Sequence, residues 1–275
     1  MVARDEVREG AGCGRRRELA HAGRKASTLP PFEGGGAATG SRAWTPIGAS
    51  AVPFSPKYPT PTEMTRQQID EVIAAFAAAA KRAVSVGGFD LVEVHAAHGY
   101  LLHSFYSPLS NQRTDDFGGS FANRVRLTRE VVRAVRSAIP DGVPISVRLS
   151  CTDWTEGGWT IDDSVELSKL LTREDGADLI DCSSGGNVPR ANIPLGPGYQ
   201  VPLAERVKRD AGATTAAVGL ITEPKQADDI VREGKADLVL LARAALRDPN
   251  FPLNAARALD QKQAVAMPKQ YDRAW

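Results

Sequence analysis

The stretch Phe89-Asp-Leu-Val-Glu-Val-His-Ala-Ala-His-Gly-Tyr100 joins a short, largely apolar run to a polar turn. The run at 89–94 has the length and composition of a buried β-strand. Before it, apolar residues recur at spacings of three and four over 69–84. This spacing predicts an amphipathic helix that Thr62 or Thr65 can cap. The stretch therefore predicts one helix followed by one buried strand.

The same alternation continues to the end of the chain. Further strands are predicted at 144–149, 178–182, 214–218 and 237–241, and helices at 125–139, 161–172, 201–209, 224–232 and 249–259. Short apolar strands that alternate with helices favour a parallel sheet covered by helices. No Gly-x-Gly-x-x-Gly follows the first of these strands, so a doubly wound dinucleotide-binding sheet has no local support. An α/β fold of the (β/α)8 TIM-barrel type is the natural alternative.

The number of strands predicts an incomplete barrel. One poorer strand candidate runs into Leu19-Ala20-His21, which makes about six βα units where a closed barrel has eight. An open sheet of this kind has two long edges and an exposed apolar face. Residues 1–17 show no periodicity, so we expect an unstructured or aberrant N-terminus there and an N-terminally truncated barrel domain at 18–275. Residues 28–61, rich in Pro, Gly and Ala, are expected to form a long loop without regular secondary structure.

Composition and charge argue against several classes of protein. The chain has 34 Lys+Arg and 33 Asp+Glu, a net charge of +1, so we expect neither nucleic acid nor a membrane as a partner. No apolar run approaches the roughly 18 residues that span a bilayer, and residues 1–30 lack the apolar core of a secretory signal. Three cysteines without a Cys-x-x-Cys pattern argue against a disulfide framework or a Cys-rich zinc site and favour the cytoplasm.

Polar side chains follow the predicted strands at the edge where a barrel has its active site. His95 and His98 come directly after the strand of the opening stretch, and Tyr100 follows them. One interpretation is a metal site that includes Glu93, for which Asp181 is the only clear further ligand. The other is a pair of hydrogen-bond donors for a substrate oxygen, with Tyr100 as proton donor.

Three more strand ends carry groups suited to a phosphate-bearing ligand. Gly219 follows the penultimate strand and Arg243 the last one, where TIM barrels commonly bind phosphate. Glycine lets backbone amides approach an anion, and a guanidinium can bind two of its oxygens. Arg148 ends the strand at 144–149 and would be an unpaired charge in the barrel mouth without an anionic or electron-rich ligand.

Several segments together carry a family resemblance. The most specific is His95-Ala-Ala-His-Gly-Tyr-Leu-Leu-His-Ser-Phe-Tyr-Ser-Pro-Leu-Ser-Asn-Gln-Arg-Thr-Asp-Asp-Phe-Gly-Gly-Ser120. The others are Leu19-Ala-His-Ala-Gly-Arg-Lys25, Ala217-Val-Gly-Leu-Ile-Thr222, Ala236-Asp-Leu-Val-Leu-Leu-Ala-Arg243 and Gln270-Tyr-Asp-Arg-Ala-Trp275. With them the chain, from about residue 18 to its end, resembles the old yellow enzyme family of FMN-dependent ene-reductases. It is most similar to the bacterial class of NADPH dehydrogenases and xenobiotic reductases.

The resemblance implies a flavin enzyme. FMN and NADPH, or NADH, would be the cofactors, and the substrate would be a small-molecule enone whose activated C=C bond accepts hydride. The resemblance implies that His95 and His98 contact the substrate carbonyl or a flavin-facing anion. Tyr100 would be a substrate contact or proton donor, and Arg148 would lie against the flavin ring.

Two implied flavin contacts depart from the family pattern. Ala242 and Arg243, beside Gly219, would hold the FMN phosphate, although the family has Gly at the position of Ala242. Glu18 stands where the family typically has Gln, whose amide bonds the flavin. A carboxylate cannot donate there and would repel a reduced flavin.

The two ends of the chain give further expectations. The resemblance implies that the tail delivers Arg273 to the substrate site of a partner subunit, in a homodimer or homotetramer. The family's first two strands have no counterpart in 1–17. Two alternatives therefore stay open, a catalytically inactive truncated remnant and a metal-dependent barrel hydrolase that uses His95 and His98, whereas the flavin interpretation requires no metal.

Overall fold

The computed structural model describes residues 14–265 and 269–274. Its strands, in chain order, are β1 (Arg16–Leu19), β2 (Ile47–Gly48), β3 (Thr62–Glu63), β4 (Leu91–Ala96), β5 (Ile145–Ser150), β6 (Leu179–Ser183), β7 (Thr215–Val218) and β8 (Leu238–Leu240). Six of them form one sheet in the order β1-β4-β5-β6-β7-β8, and every neighbouring pair is parallel. The six predicted strands are confirmed within the described residues, and the fold is an incomplete (β/α)8 barrel.

Helices separate the strands. They are α1 (Arg66–Ser85), α2 (Leu101–Tyr106), α3 (Phe121–Ala138), α4 (Ile161–Arg173), α5 (Val201–Ala211), α6 (Pro224–Arg232), α7 (Arg243–Arg247) and α8 (Phe251–Ala258). The six predicted helices are present to within a few residues at each end. The sequence did not predict α2 and α7, because five or six residues are too few to show a helical period.

A capping box determines where α1 begins. Thr65 Oγ1 accepts a hydrogen bond from the backbone of Gln68, and Gln68 Oε1 accepts one from the backbone of Thr65. Of the two candidate caps, Thr65 is therefore the one used. The buried face of the helix, including Ile69 and Phe76, packs against β4 and α3.

The first strand begins earlier than expected. Arg16 and Arg17 lie in β1, although both fall within the segment 1–17 that showed no periodicity. Their backbone pairs in register with Leu91 and Val92 of β4, a long-range pairing that local periodicity cannot reveal. Residues 1–13 lie outside the described part of the chain, and the division into 1–17 and 18–275 stays a prediction.

The loop at 28–61 is irregular, as expected, apart from β2 and two 3-10 turns at Pro31–Glu33 and Gly40–Arg42. It is anchored to the loop after α2, where Arg113 Nη1 donates to the Ala49 carbonyl at 3.1 Å. No described helix is long and apolar enough to cross a membrane.

Candidate active site

Strand register brings the predicted side chains together on the inner face of the sheet. His95 of β4 pairs with Arg148 of β5, which pairs in turn with Asp181 of β6. One layer below, Glu18 of β1 pairs with Glu93 of β4. Residues paired in register in a parallel sheet project to the same face, so these five form one cluster.

Glu18 contacts two members of this cluster. Its Oε1 lies 3.2 Å from His95 Nδ1, and its Oε2 lies 4.0 Å from Arg148 Nη1. The first distance permits an ion pair, but the angle does not make a hydrogen bond, and His95 Nδ1 is a buried nitrogen without a hydrogen-bond partner. Among the described residues, the His95 ring therefore keeps hydrogen-bonding capacity for a ligand.

His98 is held differently. Its Nε2 lies 2.7 Å from Ser183 Oγ at the end of β6, and its backbone N–H donates to Ser150 Oγ at the end of β5. The His95 and His98 rings lie 5.1 Å apart, centroid to centroid. The structure thus brings the two predicted histidines side by side at the carboxyl ends of neighbouring strands.

Tyr100 completes this group. Its ring meets that of His95 edge-on at 5.2 Å, and the residue is the N-cap of α2. The tyrosine is partly exposed, whereas His95 is buried. A phenol beside two imidazoles can donate a proton to a small molecule bound over them.

Burial determines the charge of the two histidines. Desolvation lowers the pKa of His95 below its ordinary value, although the Glu18 carboxylate opposes the effect. Desolvation also lowers the pKa of His98 to about 2, helped by the neighbouring His95 and Arg148. Both rings are therefore neutral at pH 7, and each has one N–H to donate.

Buried carboxylates lie below the histidines. Glu93 accepts hydrogen bonds from Ser146 Oγ at 2.7 Å and Arg16 Nη1 at 3.0 Å, yet burial and the nearby Asp181 raise its pKa. Asp181 Oδ2 lies 3.4 Å from Arg148 Nε, and burial raises the Asp181 pKa to about 6. Arg148 Nε and both carboxylate oxygens of Asp181 are buried, and none of the three makes a hydrogen bond within the described part of the chain.

A separate small cavity lies at the ends of β7 and β8. It has a volume of about 110 Å³ and is lined by residues that include Gly219, Ala242 and Arg243. Gly219 has φ +123°, and an added Cβ would lie 2.6 Å from Gln200 Nε2, so glycine is required. The structure thus groups the predicted phosphate residues, at the neighbouring strand ends of one sheet.

Other predicted features are not brought to this site. Arg273 is exposed in the 3-10 helix Lys269–Ala274, Trp275 lies outside the described residues, and the tail's role in a partner stays a prediction. No group of three or more His, Cys, Asp or Glu in the described ranges could hold a metal ion. That observation gives the metal-hydrolase alternative no support.

Sequence reasoning missed several polar residues that position the site. No role was assigned to Ser183 from the sequence, although it lies at the end of β6 and binds His98. Lys25 donates through Nζ to the carbonyls of His98 and Gly186, and its pKa is lowered by burial to about 8. His103 lies inside the segment that carries the resemblance, but its partner Asp153 is 50 residues away. No local signal could have identified that pair.

A parallel βα sheet with two histidines beside an arginine at its strand ends, and a small cavity at its last two strand ends, is typical of a barrel-type enzyme whose active site lies at that edge. The model of the NADH:flavin oxidoreductase / NADH oxidase family matches residues 15–262. The chain belongs to this family of FMN-dependent NADH/NADPH oxidoreductases, which confirms the enzyme class and the cofactors expected from its resemblance to old yellow enzymes.

Individual relatives agree with this assignment. The NADPH dehydrogenase of Halalkalibacterium halodurans is 46% identical over 258 residues, which cover 94% of this chain and 70% of the relative. The NADPH dehydrogenase of Bacillus velezensis is 47% identical over the same shares.

Solved structures show the same fold. A 2-naphthoyl-CoA reductase in complex with 2-naphthoyl-CoA superposes with a TM-score of 0.76 at 28% identity, covering 92% of this chain and 39% of that chain. A histamine dehydrogenase from Rhizobium sp. 4-9 superposes with a TM-score of 0.73 at 26% identity, covering 92% and 36%. The chain therefore spans less than two fifths of the length of these two proteins.

The residues present fit FMN at two of three places. The small cavity lined by Gly219, Ala242 and Arg243 suits a phosphate. Arg148 is not the unpaired charge that was expected, because Asp181 and Glu18 lie within ion-pair distance of its guanidinium. Its positive charge at the strand ends still suits an electron-rich ring. Glu18 fits less well, because its carboxylate adds a negative charge where a reduced flavin is anionic.

Proposed function

We propose that this protein reduces the activated C=C bond of α,β-unsaturated carbonyl compounds with electrons from NADPH or NADH. FMN, when bound, supplies the hydride transfer between nicotinamide and substrate. The observation that carries the proposal is the pair of neutral imidazoles, 5.1 Å apart, beside the Tyr100 ring.

His95 and His98 would bind the substrate carbonyl oxygen. Each neutral ring would donate its single N–H, which at His98 is Nδ1–H, with Ser183 Oγ donating to Nε2. Negative charge develops on the carbonyl oxygen as the β-carbon accepts hydride. A donor of this kind stabilises the transition state by about 3–4 kcal/mol. Ser183 fixes the His98 ring from the other side, so the ring need not reorganise during the reaction.

Tyr100, or a water molecule, would deliver the proton to the α-carbon. The residue is partly exposed, which suits this step because its hydroxyl would then be able to exchange its proton with solvent. The edge-on contact with His95 keeps the phenol near the bound enone.

The remaining roles concern the cofactor and the assembly. Arg148 would stabilise negative charge on the ring, and Gly219, Ala242 and Arg243 would bind the phosphate. Arg273 would reach the substrate of a partner subunit in a homodimer or homotetramer, and the domain at 18–275 would act in the cytoplasm.

The test is a product assay. Protein supplied with FMN is given NADPH and 2-cyclohexenone without oxygen, and cyclohexanone is measured by chromatography. We expect one cyclohexanone per NADPH consumed. A parallel assay replaces the enone with oxygen or a quinone. Oxidation of NADPH there, without any cyclohexanone in the enone assay, would show that the family chemistry is present but the proposed substrate class is wrong. No flavin and no NADPH oxidation would favour the inactive remnant.

A further inference from the structure

The turn that carries His98 has an unfavourable backbone. His98 has φ +58° and Gly99 has φ +72°, so two successive residues adopt the left-handed conformation. For a residue with a Cβ such as His98 this conformation is uncommon, and it persists only where the surroundings enforce it. The orientation of His98 and Tyr100 therefore depends on what holds this turn.

One hydrogen bond holds its centre. The backbone N–H of Gly99 donates to Nδ1 of His103 at 2.9 Å. On the other side of that ring, His103 Nε2 lies 2.9 Å from Asp153 Oδ1, and both side chains are fully buried. Because Nδ1 accepts, the proton of the neutral ring is on Nε2 and is donated to Asp153.

Asp153 is itself fixed in place. Its Oδ2 accepts hydrogen bonds from Ser107 Oγ at 2.6 Å and from the Trp159 backbone at 2.9 Å. A carboxylate with both oxygens engaged cannot rotate away, and it stabilises one tautomer of the imidazole that it binds. His103 thus presents an acceptor to Gly99 in a fixed direction.

We infer that His103, oriented by Asp153, is a positioning residue that holds the His98–Tyr100 turn in its reactive geometry. It touches neither substrate nor cofactor and acts through the Gly99 amide. The catalytic part of this inference rests on the proposed function, whereas the structural part does not.

The other contacts of the turn do not replace this bond. Lys25 Nζ donates to the His98 carbonyl, Ser150 Oγ accepts from the His98 amide, and the Tyr100 amide donates to the Ala97 carbonyl. None of these bonds engages the Gly99 amide. A ring that merely filled space could be replaced by another ring of similar size. A ring that acts as an acceptor could not.

Two substitutions at one position separate these roles. His103→Phe keeps an aromatic ring but removes the acceptor. His103→Asn places an amide oxygen near the position of Nδ1 and therefore keeps the hydrogen-bond acceptor. Val131→Ala, in the buried face of α3 and away from the turn, is the control for a general loss of stability.

The first readout is amide hydrogen exchange at Gly99, measured by NMR on the whole chain. We expect about tenfold faster exchange in His103→Phe, the effect of losing one net hydrogen bond, and near wild-type exchange in His103→Asn and Val131→Ala. The second is enone reduction, for which kcat/KM should fall about 100-fold in His103→Phe and recover most of that loss in His103→Asn. FMN affinity should stay within twofold in all three.

Wild-type exchange at Gly99 in His103→Phe would overturn the inference, and so would equal loss of activity in the Phe and Asn variants. If His103→Phe does not fold, Asp153→Asn takes its place, since a neutral amide holds the tautomer less firmly and should give an intermediate rise in exchange. Unchanged exchange there would also overturn it. If the wild type reduces no enone, the proposed function fails, but the exchange result still decides whether His103 holds the turn.

Discussion

Glu18 Oε1 lies 3.2 Å from His95 Nδ1, and the Oε2 of the same carboxylate lies 4.0 Å from Arg148 Nη1. The carboxylate of Glu18 in β1 therefore lies beside His95, which is proposed to bind the substrate, and beside Arg148, which is proposed to bind the flavin. Its charge opposes the desolvation that keeps His95 neutral. An amide at this position would remove the charge without changing the shape.

Glu18→Gln should strengthen FMN binding about tenfold, because it removes a negative charge beside the ring and adds a donor. It should also lower the pKa of His95 further, since Glu18 acts to raise it. Flavin fluorescence measures the first effect and the NMR titration of His95 the second. Glu166→Gln, on the exposed face of α4, is the control. Unchanged FMN affinity would mean that Glu18 does not face the flavin.

His95→Ala and His98→Ala should each lower kcat/KM for enone reduction about 100- to 1000-fold, the usual effect of removing one donor to a developing oxyanion. Both should bind FMN as the wild type does, because the rings are proposed to contact the substrate. Ser168→Ala removes a buried hydroxyl of α4 and should change neither property. Loss of FMN together with activity would show that the rings serve the cofactor.

The raised pKa of Asp181 makes stability depend on pH. Between its ordinary value of 3.8 and about 6, the folded protein holds a proton that the unfolded chain has released. This group therefore destabilises the fold progressively as the pH rises through that window. Asp181→Asn should remove the effect. The free energy of unfolding of the variant minus that of wild type should therefore increase by on the order of 2 kcal/mol between pH 4 and pH 7.

Urea unfolding at several pH values measures this difference, and Asp141→Asn at an exposed turn should show no such trend. The comparison with wild type is needed because the lowered pKa values of His95 and His98 act in the opposite direction, favouring the fold as the pH rises. A flat difference between pH 4 and pH 7 would contradict the prediction.

Gly219→Ala should weaken FMN binding at least tenfold and destabilise the fold by about 1–3 kcal/mol. The new Cβ would strain a backbone at φ +123° and push the Gln200 side chain away from the cavity at the ends of β7 and β8. Gly142→Ala is the matched control, since its Cβ would meet nothing within 4 Å. Equal FMN affinity in the two variants would remove Gly219 from the phosphate site.

Removing residues 271–275 should shift the mass in solution toward the monomer, and Arg273→Ala should mainly raise the KM for the enone. Aromatic side chains in a tail are typical interface anchors, and a symmetric dimer would exchange the two arginines reciprocally. Analytical ultracentrifugation and steady-state kinetics measure the two effects. A shortened protein with wild-type mass and kinetics would leave Arg273 without a role.

Periodicity and strand ends were enough to predict the six strands, the six longer helices and the placement of His95, Arg148 and Gly219 at strand ends. These depend on patterns within a few residues and on the rule that parallel strands end at one edge of a sheet. The start of β1 at Arg16 could not be predicted, because only its pairing with Leu91 makes that segment a strand.

The sequence alone determined which strand ends carry the polar groups, since the βα alternation is local. Only the tertiary structure decided which of them meet. Ser183 and His98 are 85 residues apart in the chain, and Asp153 and His103 are 50 residues apart. Glu18 approaches His95 because β1 is paired with β4 in a particular register. Such contacts depend on how strands and loops distant in the chain are aligned in space, and no periodicity within one segment encodes that alignment.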